Sequence, residues 1–120
     1  MGDQRLRPSE RLRRPRDYQR VFQHGTKLVA PLFVLYVLPT SVPRSRLGLG
    51  VSRRVGGAVV RNRVKRRLRE LFRRHKFLLY PAYDVVFVAR QGAAKASLEE
   101  YTRQFLMLLR RCQRTGVHQE

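Results

Sequence analysis

Residues 59–76 read VVRNRVKRRLRELFRRHK, with nine Lys and Arg side chains and a single acid, Glu70. Val60, Val64, Leu68 and Leu71 fall at i, i+4, i+8 and i+11, one apolar stripe at helical spacing. Arg63, Arg66, Arg67, Arg73 and Arg74 project mostly away from that stripe. The segment therefore reads as an amphipathic helix whose apolar side docks on a sheet while its basic side stays wet. Nothing within the helix is expected to neutralise so much like charge, so the cancelling charge is expected from outside the chain.

Working outward towards the N-terminus, RLGLGVS at 46–52 has the length of a strand, and TSVPRS at 40–45 reads as a turn. KLVAPLFVLYVLP at 27–39 is rich in β-branched and aromatic residues and reads as one strand, paired with 46–52 as a hairpin. Before it, Pro15 suits the first turn of a short helix and Gly25 its C-terminal cap. Tyr18, Val21 and Phe22 give that helix one apolar face. Residues 1–14 read as a basic flexible arm. Towards the C-terminus, YDVVFVAR at 83–90 is a strand introduced by Pro81. Ser97 and Glu100 form a capping box for a last helix. Leu98, Tyr101, Phe105, Leu108 or Leu109, and Cys112 mark its buried side, and Arg110 and Arg111 complement its C-terminal dipole. Residues 113–120 read as a loose tail.

The order helix, strand, strand, helix, strand, helix predicts a small α+β two-layer α/β sandwich in one domain over 1–120. The basic helix becomes a crossover joining parallel strands of one sheet.

The chain has 120 residues, 42% of them hydrophobic, and a net charge of +19 from 27 basic and 8 acidic side chains. Such self-repulsion points to a polyanionic partner, either nucleic acid or an anionic membrane surface. The longest apolar run, LVAPLFVLYVL at 28–38, is too short to span a bilayer. The N-terminus lacks the apolar stretch of a secretory signal. The single Cys112 excludes an internal disulfide and a Cys-based metal cluster. The expected compartment is the cytoplasm, with no membrane. Arg outnumbers Lys, and Arg suits bidentate phosphate contacts and stacking on bases, which favours nucleic acid.

No catalytic constellation is present, so no catalytic residue is assigned. His24, His75 and His118 lack metal-ligand spacing. Asp3, Asp17 and Asp84 are scattered, unlike the clustered carboxylates of a two-metal nuclease. GLGVSRRVGG lacks the Lys-Ser or Lys-Thr ending of a phosphate loop. No cofactor or metal is expected on the polypeptide. Phosphate contacts position a partner without reading sequence, and each one releases counterions. A DNA-reading helix mixes Asn, Gln and Ser with Arg, whereas this one offers only Asn62. Folded RNA, recognised by shape and backbone, fits better. Tyr18, Phe22 and Tyr36 have two readings: core packing, which the pattern alone favours, and a stacking platform for single-stranded nucleotides.

The stretch GLGVSRRVGGAVVRNRVKRRLRE at 48–70 resembles the signature of the bacterial ribonuclease P protein family. Its heart is Arg61, Asn62 and Arg63, followed by Val64, Lys65 and Arg66 and preceded by Val51, Ser52, Arg53 and Arg54. DYQRVFQHG at 17–25, FVLYVLP at 33–39 and YDVVFVAR extend the likeness over about residues 11–111. The resemblance implies a ribonucleoprotein that removes the 5′ leader from precursor tRNA. Its RNA subunit is catalytic and requires magnesium, and the small protein binds that RNA and the single-stranded leader, with no obligate protein partner. It implies a left-handed βαβ crossover, against the right-handed default. It gives Arg61, Asn62, Arg63, Lys65, Arg66 and Arg69 the RNA-facing role. It gives Tyr18, Phe22 and Tyr36, with Arg53 and Arg54, the leader cleft, which reverses the preference for core packing of the aromatics. The competing expectations are a structural RNA-binding protein, such as a ribosomal component, and a DNA-binding regulator.

Overall fold

In the computed structural model the described residues are 7–114. The helices are α1 (Pro15–His24), α2 (Ala58–His75) and α3 (Leu98–Arg114), and the strands are β1 (Thr26–Val29), β2 (Phe33–Pro39), β3 (Arg46–Gly50) and β4 (Tyr83–Ala89). Among the described residues the strands form one sheet in the order β1-β2-β4-β3. β1 pairs antiparallel with β2, β2 antiparallel with β4, and β3 parallel with β4. The mixed α+β class is as expected, and α2 is the crossover between parallel strands.

Two expectations about the strands need correction. The stretch 27–39 is not one strand. It breaks at Ala30-Pro31-Leu32 into the β1–β2 hairpin, because Pro31 has no N–H to give a ladder. The freed groups are caught elsewhere: Arg90 N donates to Leu32 O at 2.9 Å and Leu32 N to the Gln104 Oε1 at 2.9 Å. Nor does β3 pair with β2, since β4 lies between them. β4 is buried on both faces along nearly its whole length, the pattern of an interior strand. β3 carries Arg46, Gly48 and Gly50 on one face and suits an edge.

α1 runs from Pro15 to a cap at Gly25, as read. The reason for glycine is close approach rather than a left-handed backbone: φ is −79°, and a Cβ would lie 2.6 Å from Val21 O and 2.9 Å from Val37 O. The expected flexible arm is corrected for its described part. Pro8–Glu10 form a 3₁₀ turn, Leu12 is buried, and Leu12 N donates to Leu47 O at 2.9 Å, which seats the segment on the β3 edge. Residues 1–6 of the arm lie outside the described residues. α3 continues to Arg114, so the tail read from 113 starts two residues later at the earliest, and 115–120 also lie outside.

The main core fills the space between one sheet face and the helices α2 and α3. Phe33, Leu35, Phe87, Val64, Leu68, Leu71, Phe72, Tyr101, Phe105 and Leu108 are all fully buried there. Each such side chain contributes about 1.5–3 kcal/mol on burial. Phe33 and Phe87 meet edge to face at 5.1 Å. Ser97 caps α3 as expected, its Oγ accepting from Glu100 N at 3.2 Å.

Candidate nucleic-acid interface

α2 sorts its charges by helical face. Val60, Val64, Leu68 and Leu71 turn to the core. On one flank, Arg63, Arg67, Glu70 and Arg74 recur at i, i+4, i+7 and i+11, and here charge is spent within the fold. Arg63 Nη2 donates to Ala94 O at 2.8 Å and Arg67 Nη1 to Ala96 O at 2.6 Å. The Glu70 carboxylate accepts from Arg73 at 2.7 Å and from Arg74 at 2.6 Å. Their hydrogen bonds, Arg73's first, hold the Glu70 carboxyl down at about 2. The expectation that nothing within the helix offsets its charge is thus corrected for its C-terminal turns.

The neighbouring ridge is different. Asn62, Arg66 and Arg69 recur at i, i+4 and i+7, are exposed, and have no ionic or hydrogen-bonded side-chain partner among the described residues. Arg73 prolongs the ridge at i+11. Burial, then the neighbouring guanidiniums of Arg11 and Arg66, hold the Arg69 guanidinium below its ordinary pKa. Burial is the larger cause; the lesser one, the crowding of like charge, is what an approaching phosphate relieves. Lys65 and Arg69 join Arg11, Leu12, Tyr18 and Leu49 around a concavity of about 220 Å³. This recess runs from the helix to the sheet's second face.

Among the described residues that second face is covered by α1 and the Leu12 segment before it. Val21 and Leu12 close on Val86, while Tyr18, Tyr36, Leu38 and Val88 are only partly covered. Phe22 is 43% exposed and stands edge-on to Tyr36, with ring centroids 4.8 Å apart. The Tyr18 ring lies over Gly48, where a Cβ would come within 2.7 Å of it, and its hydroxyl accepts from Leu49 N at 3.3 Å. So each ring is packed at one edge and open at another. Beyond Val88 the surface continues into a concavity of about 630 Å³ lined by Ser52, Arg54, Arg90 and Gln91. Arg53 is exposed on the same turn as Arg54.

α1 is fixed by a buried ion cluster. Asp84 of β4 is wholly buried and faces α1, as do Val86 and Val88. Arg46 grips it through both carboxylate oxygens at 2.8 and 2.7 Å, and Arg20 of α1 donates at 2.9 Å. Asp84 hydrogen bonding is the main cause that raises the Arg46 pKa. Glu10 pairs with Lys76. Burial pushes the Glu10 carboxyl up, but Lys76 and the Arg7 N–H outweigh it and leave the pKa lowered. Among the described residues no three His, Cys, Asp or Glu side chains gather to hold a metal ion.

The sequence-read site residues therefore divide. Asn62, Lys65, Arg66 and Arg69 share one exposed ridge and its recess. Arg63 sits on the balanced flank. Arg61 is half-buried, with its Nε out of solvent and no partner among the described residues. Tyr18, Phe22 and Tyr36 come together on one face, with Arg54 further along it. Sequence reading missed Arg11, hidden in the supposed arm. The apolar Leu12 in that basic run was the available signal, since it buries and carries Arg11 to the helix. It also missed Asp84 as the tie for α1. No helix is long and apolar enough to cross a membrane among the described residues.

A family model described as Ribonuclease P matches residues 6–113. The ribonuclease P protein component of Syntrophobacter fumaroxidans is 43% identical over 108 residues, covering 89% of this chain and 91% of that protein. The Bacillus velezensis protein is 39% identical over 107 residues, covering 88% and 91%. Among solved structures, the RNase P protein from Thermotoga maritima superposes with a TM-score of 0.75 at 34% identity, covering 85% of this chain and 96% of that one. The Staphylococcus aureus RNase P protein gives 0.76 at 31% identity, covering 84% and 93%.

Proposed function

This chain belongs to the ribonuclease P protein family, and we propose from that premise that it binds the catalytic RNA through the exposed ridge of α2 and the 5′ leader of precursor tRNA through the half-open aromatic face. Membership makes it a component of a tRNA-processing endoribonuclease and a partner of the ribonuclease P RNA. The proposal adds how. Asn62, Lys65, Arg66 and Arg69, with Arg11, take phosphates of the folded RNA, and their counter-charge comes from that RNA. Arg61 and Arg63 support the ridge from its edges. Tyr18, Phe22 and Tyr36 offer ring faces to the unpaired leader, and Arg53 and Arg54 attend its phosphates. Hydrolysis belongs to the RNA subunit with its magnesium. The polypeptide screens phosphate repulsion between the two RNAs and lengthens the grip on substrate. The compartment is the cytoplasm, where precursor tRNA is made.

The observation that carries this reading is the ridge itself: Arg66 and Arg69 stand exposed with no acidic partner among the described residues, on a helix whose other flank spends its guanidiniums on Glu70 and on the carbonyls of Ala94 and Ala96. The test is reconstitution of the purified chain with a bacterial ribonuclease P RNA and precursor tRNA at low magnesium. Restored 5′ maturation supports the proposal. Cleavage by the polypeptide alone, or no effect on the RNA, overturns it. Arg66→Ala with Arg69→Ala makes the salt dependence of RNA binding shallower, by about 1 in log–log slope per lost contact. Arg67→Ala leaves the slope unchanged, because its guanidinium serves Ala96 O.

A further inference from the structure

Two large aromatics stand far out of the fold at the C-terminal end of α2, Phe77 at 72% and Tyr80 at 79% exposure, with Leu78 between them at 39%. Little among the described residues covers them, and contiguous exposed apolar surface of this kind marks an interaction site. Phe77 and Tyr80 line one concavity of about 250 Å³ with Arg44, Ser45 and Lys76. The Lys76 ammonium is taken by Glu10. The Arg44 guanidinium has no partner among the described residues, so the pocket has one uncommitted cation beside two open rings. The Phe77 ring lies nearly parallel to His75, at 25° and 6.5 Å between centroids, which limits its swing.

Position says what fits. The basic ridge runs from Asn62 to Arg73, about 16 Å along the helix, and the Phe77 pocket begins one turn beyond it. An RNA that lies on the ridge and follows the helix axis past Arg73 would reach the pocket. We propose that Phe77 and Tyr80 form a second stacking site, which takes an unpaired base of that RNA while Arg44 meets its phosphate. Aromatic faces beside a free guanidinium are the ingredients of single-strand recognition. A second copy of this chain is disfavoured, because +19 would meet +19. The inference rests on the proposed binding of ribonuclease P RNA to α2.

The chain contains no tryptophan, so Phe77→Trp introduces a single reporter. Its emission is titrated with ribonuclease P RNA, with a fully paired RNA duplex and with polyglutamate. In parallel, binding of the same RNA is measured by filter retention for the wild-type chain and for Phe77→Ala with Tyr80→Ala. The expected result is quenching by ribonuclease P RNA that saturates with binding, and little change with the duplex. The double variant loses about tenfold in affinity with an unchanged salt slope and an unchanged circular dichroism spectrum. Unaltered emission in a chain that binds the RNA overturns the stacking site and leaves the proposed function standing. So does full affinity in the double variant. Quenching by polyglutamate but not RNA overturns it in favour of an acidic protein partner. Failure of the wild-type chain to bind the RNA at all removes the reading beneath it, and the site with it.

Discussion

Phe33, Leu35 and Val37 of β2 are at most 1% exposed, whereas Val34, Tyr36 and Leu38, which alternate with them, are only half-buried. The two sets belong to the same strand and differ in what covers them. α2 and α3, 18 and 17 residues long, close one face of the sheet completely. α1, with 10 residues, closes part of the other. The difference teaches how a chain this small combines stability with a half-open face, the one proposed to bind the leader. One face supplies the core, so the other can leave rings half open without unfolding the sheet.

The sharpest way to break this contrast is to exchange the roles of the faces. Phe87→Ala empties a fully buried site between Phe33 and Phe105 and costs about 3–5 kcal/mol, read as a lower denaturation midpoint. Tyr36→Ala on the open face costs less stability and instead weakens precursor tRNA binding relative to mature tRNA. Equal loss for both tRNAs sinks the cleft assignment. Next in size is the tie that positions α1. Asp84→Ala strands the Arg46 and Arg20 guanidiniums and costs about 3 kcal/mol, near the lower end for a broken buried pair because Arg20 is partly exposed. Asp84→Asn loses less. In both variants discrimination between precursor and mature tRNA falls, since α1 carries Tyr18 and Phe22. Unchanged discrimination separates α1 from the leader site.

Gly48→Ala is subtler. The new methyl meets the far end of the Tyr18 ring, which can swing aside, so stability changes by about 1 kcal/mol and leader affinity falls. Adding Tyr18→Ala produces no further loss if the two act through one ring, and a double-mutant cycle measures this. The smallest effect concerns the balanced flank of α2. The folded pKa of Glu70 lies below its ordinary 4.5, at about 2. Its ion pairs with Arg73 and Arg74 therefore contribute stability above pH 4.5 that is lost as pH falls towards 2. The pairs are solvent-accessible and the contribution is modest. Glu70→Gln flattens the acid limb of the stability curve slightly, measured at low ionic strength.

Much of the fold was legible because it depends on local pattern. The stripe Val60, Val64, Leu68 and Leu71, the start of α1 at Pro15, the cap at Ser97 and the apolar run of β4 each advertise an element within a few residues. The strand pairing was not legible. Whether LGLG pairs with β2 or β4 depends on which strand is buried on both faces, a property of the whole sheet. The break at Pro31 was visible as a letter, yet the turn is held by Arg90 and Gln104, about sixty and seventy residues away. On the site, residue type named the cations of α2. Their division into a spent flank and an open ridge depended on where the carbonyls of Ala94 and Ala96 and the carboxylate of Glu70 came to rest.

From the sequence alone come the helical periods, the excess of positive charge and the signature around Arg61, Asn62 and Arg63, because these are written in neighbouring residues. The tertiary structure alone decided which cations remain unpaired, that Leu12 anchors Arg11 beside Lys65 and Arg69, and that Asp84 clamps α1 over half a sheet face. Those outcomes require partners distant in the chain to meet, and only folding brings them within hydrogen-bonding range.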